Sequence, residues 1–167
     1  SLKVGLAVGV IASLLQLVTG HDSAVGVAKH QPAKLAAFEG HYETAGNTPL
    51  YLFGWVDDSG QRVRFGVGIP GILSYLVHGD SSKPVTGLNE FKREDRPPVN
   101  FVFQTYHAMV VFGFALIGLS LLGAWFCWRG TLIEKRWLLW LLVFSVLGPQ
   151  LANQLGWFSA EVGRQPW

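Results

Sequence analysis

The chain has 167 residues, half of them hydrophobic and only 14% charged, with a mean hydropathy of +0.31 and a formal net charge of +2. So mild a positive balance lacks the electrostatic footprint of a nucleic-acid binder, and a soluble domain carries roughly a quarter of charged residues. The single cysteine, Cys127, excludes an internal disulfide and any Cys-based metal site.

The first element is an uncharged run from Val4 to Gly20, preceded only by Lys3. It sits near the lower limit of the ~20 apolar residues that cross a bilayer. No small-residue cleavage site closes it, so residues 1–20 are read as a transmembrane helix rather than a leader. There is no initiating Met, and the end at Trp167 is equally abrupt. Both ends suggest a fragment or one part of a split subunit.

Residues 21–100 form a long loop. Within it, Pro32 to Glu39 begins like an amphipathic helix, with Leu35, Ala36 and Phe38 between Lys34 and Glu39. Leu50–Val56 and Arg62–Val67 read as two strands around Asp57-Asp58-Ser59-Gly60. Gly66 to His78 is apolar but too short to span, and is expected to pack on the membrane surface or on helix ends. Pro97-Pro98 stiffens the entry to the next helix. Loops this long are usually functional or disordered; the aromatic and apolar clusters predict partial order.

The second transmembrane helix is predicted over 101–128, where only His107 could carry charge as far as Cys127. Arg129, Glu134, Lys135 and Arg136 make the 129–136 loop basic, hence cytoplasmic, which puts the 21–100 loop on the outer face. The third helix covers 137–167, with Trp137 and Trp140 as an interfacial belt. The expected fold is an all-α membrane protein: three transmembrane helices and a long, partly ordered extracytoplasmic loop, within a larger helical bundle.

Three groups of residues could carry chemistry. Glu161 ends the last apolar run, and Asn153, Trp157, Glu161 and Arg164 share one helical face. A carboxylate at that depth needs a partner, a proton or a metal. It reads either as a haem-iron ligand or proton-relay acid, with Arg164 toward a haem propionate, or as a salt-bridged helix end. Met109 is the only methionine, and Met and His are both axial ligands of low-spin haem. His107 and Met109 point roughly 200° apart on a helix, so they cannot share one iron. Lys34 and Glu39 could hydrogen-bond a quinone head; taken alone, their segment is an ordinary amphipathic turn. His21, His30, His41 and His78 show no metal-ligand spacing and read as surface residues. Phosphate-cradling loops and nucleophile elbows are absent.

Glu161-Val162-Gly163-Arg164-Gln165-Pro166-Trp167, preceded by Gly156-Trp157-Phe158, resembles a hallmark of the large subunit of cytochrome bd quinol oxidases. Lys34 to Glu39 is similar to the quinol-contacting start of that family's Q-loop, and Gly68–Tyr75 and Pro84–Leu88 to later Q-loop segments. The resemblance implies that Met109 is an axial ligand of low-spin haem b and that Glu161 ligates a high-spin haem, b or d. Trp157 would then pack beside those haems, Arg164 would pair with a propionate, and Lys34 and Glu39 would bind or deprotonate quinol. His107 stands where the family usually has Arg, a place from which it would meet a propionate or tune the potential. Gln154 stands where Glu is expected. The family's ligand histidines lie on earlier helices. The resemblance therefore implies partners: the remaining helices of the large subunit, on the same or a separate chain, and the small subunit II, in a bacterial plasma membrane. Two other readings stay open, a haem b electron-transfer subunit without oxygen reduction and a haem-free structural paralogue.

Overall fold

A computed structural model of the chain describes residues 2–166; Ser1 and Trp167, the last position of the hallmark, lie outside the described residues. In chain order the elements are α1 (Leu2–His30), α2 (Pro32–Phe38), β1 (Leu50–Asp57), β2 (Arg62–Ile69), α3 (Ile72–His78), α4 (Val99–Trp128), α5 (Arg136–Phe144) and α6 (Leu147–Val162), with short 3-10 turns at Leu88–Glu90, Arg93–Asp95 and Leu132–Glu134.

The helix expected to end at Gly20 continues to His30. Nothing in His21–His30 breaks a helix, and Lys29 and His30 suit the negative end of its dipole. The stop comes one residue later. Gln31 precedes Pro32, whose ring disfavours the helical conformation there, and Gln31 leaves it at φ −140°. Pro32 then opens α2 in the first turn, where a missing N–H costs nothing.

Two helical segments are long and apolar enough to cross a membrane: α1, and a stretch from Arg93 to Trp128 that contains α4. The third expected span is divided, with α5 and α6 bent by 41° at the break. Pro149 explains it: it offers no N–H, and its ring opposes the carbonyl of Ser145, four residues earlier. Gly148 N donates to that carbonyl at 3.0 Å instead, and Ser145 Oγ donates to Leu142 O at 2.7 Å.

The chain divides into two compact units, one of residues up to Gly20 with Ala108–Gln154, the other of His21–His107 with the segment from Leu155. In the first, Leu6, Leu132 and Leu138 are buried against Leu119, Phe126 and Leu142. Val8, Val111, Phe114, Leu121 and Trp140 stay exposed. A helix surface apolar on every side belongs in lipid or against further helices.

The second unit is built on α2. Ala36, Ala37 and Phe38 pack with Tyr42, Val56, Leu88, Val99, Val102 and Phe103. The two expected strands form an antiparallel hairpin from Leu50↔Ile69 to Asp57↔Arg62, with the register slipping between Tyr51 and Phe53 and again between Phe53 and Trp55. At its tip, Asp57 accepts bonds from Ser59 Oγ (2.6 Å) and Gly60 N (3.1 Å) and pairs with Arg64. The apolar stretch before His78 folds in part as α3. Its Ser74 is fully buried, and Ser74 Oγ accepts from Thr48 N at 3.0 Å.

Candidate functional site

The short helix α2 places both of its charged residues inside the second unit. Lys34 is 8% exposed and Glu39 only 2%. Read alone, the segment resembled a solvated turn; the apolar positions between its charges instead face a shared core, and the charges go in with them. Glu39 Oε2 is buried with no hydrogen-bond partner. Burial alone pushes the Glu39 carboxyl up to about 8, so near neutral pH it keeps its proton. Phe38, its neighbour, stacks on Tyr106 of α4 with ring centroids 4.4 Å apart and planes 6° from parallel.

Gly40 follows at φ +59°, a left-handed conformation that glycine adopts without steric cost. A Cβ there would lie 3.0 Å from Val56 Cγ2, 3.0 Å from Val63 Cγ2 and 3.3 Å from Phe103 Cδ2. The hairpin and α4 therefore both close directly over the backbone that carries Glu39.

Lys34 lies with its ammonium 5.7 Å from the centre of the Phe38 ring. Its aliphatic stem runs against Gly163: a Cβ at Gly163 would meet Lys34 Cγ at 3.1 Å and Ser159 O at 2.5 Å. Burial lowers the Lys34 amine from its ordinary value, Arg164 lowers it further, and Glu161 opposes both. Arg164 Nη2 bonds Glu161 Oε1 at 2.7 Å, with the two side chains 51% and 37% exposed. The start of the loop and the end of the last helix thus meet, and Lys34, Glu161 and Arg164 form one charged group. Trp157, one turn before Glu161 on α6, is 57% exposed.

Met109 is half-buried on α4, with Val111 and Phe114 exposed on the same helix. His107 is also half-buried, with backbone carbonyls facing both ring nitrogens, Nδ1 2.9 Å from Phe103 O and Nε2 2.9 Å from Tyr51 O, of which a neutral ring donates to one. The ring stacks on Phe103 at 3.9 Å. Among the loop histidines, His21, His30 and His78 are exposed as expected. His41 is not a surface residue: it is half-buried, with Nε2 3.2 Å from Val85 O.

Sequence reasoning missed Asn100 and Gln104. Asn100 Oδ1 accepts from Val56 N at 3.1 Å, and Gln104 Nε2 donates to Gly54 O at 2.7 Å. The available signal was polar side chains at 100, 104 and 107 on one stripe of an otherwise apolar helix. Tyr106 was also passed over, because a stack across some seventy residues leaves no local pattern.

Among the described residues, no three His, Cys, Asp or Glu side chains gather as a metal cluster. A haem asks for less, since one or two side-chain donors would hold its iron. A lone thioether on an apolar helix, and a part-exposed carboxylate one turn from an exposed indole, fit that requirement.

The family described as cytochrome bd terminal oxidase subunit I matches residues 1–167. The chain is 38% identical over 170 residues to a candidate cytochrome bd menaquinol oxidase subunit I of Bacillus subtilis (strain 168), covering 100% of this chain and 38% of that protein. It is 32% identical over 177 residues to the cytochrome bd ubiquinol oxidase subunit 1 of the same organism, again with 100% and 38% covered. The solved structure of bd oxidase from Geobacillus thermodenitrificans matches with a TM-score of 0.87 and 36% identity, over 99% of this chain and 38% of that one. The chain thus spans well under half the length of the relatives it matches.

Proposed function

Because the chain belongs to the family of cytochrome bd terminal oxidase subunit I, we propose that it is the quinol-binding and part of the haem-binding portion of a membrane oxidase that oxidises quinol and reduces oxygen to water. The observation that carries this reading is Glu39: a carboxyl 2% exposed, with Oε2 unpartnered, in the same short segment as Lys34, itself 8% exposed. A buried polar atom without a partner costs about 1–3 kcal/mol, a cost that a ligand with complementary polar groups would remove.

Quinol gives up two electrons and two protons. With its proton held to about pH 8, Glu39 donates a hydrogen bond to a ligand oxygen at neutral pH. It accepts a quinol proton only after losing its own. Lys34, whose amine is lowered by burial and by Arg164, sits at the same end of α2 as the Glu161–Arg164 pair and orients the other polar edge of the ligand. Low-spin haem b, high-spin haem b and haem d, when bound, would supply the one-electron steps and the site of oxygen reduction. Of this chain's residues, Met109 would ligate the low-spin haem and Glu161 a high-spin one, with Trp157 beside it and Arg164 toward a propionate, while His107, its ring nitrogens facing the Phe103 and Tyr51 carbonyls, would tune the potential. The small subunit II, the remaining helices of subunit I and lipid complete the surroundings. The protein would be a multi-pass protein of a bacterial plasma membrane, with the 21–100 loop on the outer face.

The test is quinol oxidation by the intact oxidase carrying Glu39→Leu, which removes the donor, and, separately, Lys34→Met. A rise in quinol KM with haem bands unchanged supports the reading. Wild-type KM in both variants refutes it.

A second reading is a cytochrome b subunit that passes electrons without reducing oxygen. His107 favours it, because its ring nitrogens meet Phe103 and Tyr51 carbonyls where the family usually has Arg. A reduced-minus-oxidised spectrum with no haem d band, and no oxygen uptake, would select it.

A further inference from the structure

Strand β1 pairs with β2 on one side only, and its register slips twice within Tyr51–Trp55. Backbone groups along such a strand need other partners, because unpaired N–H and C=O groups away from water are costly. Helix α4 supplies them. Asn100 Oδ1 takes the Val56 N–H at 3.1 Å, Gln104 Nε2 donates to Gly54 O at 2.7 Å, and His107 Nε2 faces Tyr51 O at 2.9 Å. Spacings of four and three residues put the three side chains on one helical stripe, and they meet β1 in reverse chain order, at Val56, Gly54 and Tyr51. Gln104 Nε2 also lies 3.4 Å from Asn100 Oδ1, which links two rungs.

The hairpin held this way is the one that closes on Gly40, the residue after Glu39. Val56 and its cross-strand partner Val63 are the side chains that a Cβ on Gly40 would strike, and both pack in the core around Phe38. The three heavy atoms nearest that Cβ position belong to this hairpin and to Phe103. We propose that Asn100, Gln104 and His107 are positioning residues, a side-chain ladder from α4 that fixes the β1–β2 hairpin as the wall of the site containing Glu39.

This inference rests on Glu39 being part of the quinol site; the ladder touches no quinol and acts only through the hairpin. A wall fixed by three polar rungs keeps Glu39 dry and its pocket one shape. Loosening it weakens binding of a ligand that needs that shape and leaves the haem ligands alone. His107 neighbours Met109 in sequence, so the decisive variants are the other two rungs.

The experiment uses the complete oxidase in membranes, with Gln104→Leu and Asn100→Leu compared with wild type. Hydrogen exchange of residues 50–57 is read by mass spectrometry, together with quinol KM, kcat and the reduced haem bands. Losing one rung should speed exchange of those amides about 5- to 10-fold, as expected for one buried hydrogen bond. Quinol KM should rise by a similar factor, with kcat and the haem bands unchanged. Unaltered hairpin exchange in both variants overturns the ladder. Faster exchange with unaltered KM overturns its role in positioning. If Leu at 104 prevents assembly, Gln104→Glu keeps the shape and turns the donor facing Gly54 O into an acceptor, with the same predictions. Should Glu39→Leu leave KM at the wild-type value, the quinol reading falls, while the exchange data still decide whether the ladder holds the hairpin.

Discussion

Gly40→Ala is the substitution whose cost the structure specifies most closely. At φ +59°, an alanine carries a left-handed strain of about 1–2 kcal/mol. Its Cβ would stand 3.0 Å from two valine methyls and 3.3 Å from the Phe103 ring. Valines are stiff at χ1, so neither Val56 nor Val63 can swing aside, and overpacking adds about 1–3 kcal/mol. The sum is roughly 2–5 kcal/mol. Gly79 is the matched control: it has φ +70° and nothing within 4 Å of its Cβ position, so Gly79→Ala carries strain alone. The assay is the temperature at which membranes lose half of their quinol oxidation after a fixed incubation. With about 2–4 °C per kcal/mol for a unit of this size, Gly79→Ala should lower it by a few degrees and Gly40→Ala by roughly 5–15 °C. Equal shifts in the two variants would refute the crowding argument and, with it, the close fit of the hairpin over Glu39.

Three further outcomes are expected. Glu39 is raised from 4.5 to about 8; the folded state therefore binds the extra proton between those values, and stability is full below the ordinary carboxyl range and falls as pH rises through about 8. Quinol KM should rise over the same upper limb, and Glu39→Gln, whose amide donates at every pH, should flatten it in a KM-against-pH series. Lys34→Met keeps the stem that packs on Gly163 but removes the charge-assisted hydrogen bond proposed to quinol, so quinol KM should rise about 10- to 100-fold, read by steady-state oxidation at fixed pH. Met109→Leu conserves volume and removes the thioether, so the low-spin haem b band should disappear from the reduced-minus-oxidised spectrum while the protein still assembles.

The strands, the turn between them and α2 were legible because each follows from local rules: β-branched and aromatic runs around Asp-Asp-Ser-Gly, and a proline start. The hallmark around Glu161 was legible as a resemblance, and the structure adds that Lys34 lies beside it. The burial of Glu39 was not visible, since one turn of amphipathic helix looks the same whether its polar side meets water or a core. The extension of α1 to His30 was hidden by polar residues at His21 and Asp22, which mark an end of lipid rather than an end of helix. The division of the last span was readable at Pro149 and was passed over in favour of an unbroken apolar run. The ladder from Asn100 to His107 lay beyond local rules, because its acceptors and donors are backbone groups some fifty residues earlier.

The proline break between α5 and α6 carries its own hydrogen-bond repair. Hydrocarbon tails offer no hydrogen bonds, and the carbonyl that Pro149 leaves without its usual donor, Ser145 O, takes one from Gly148 N at 3.0 Å instead. The bend is thus made without a bare carbonyl at Ser145, and the exposed Trp140 and Phe144, with ring centroids 5.8 Å apart, stack just before it.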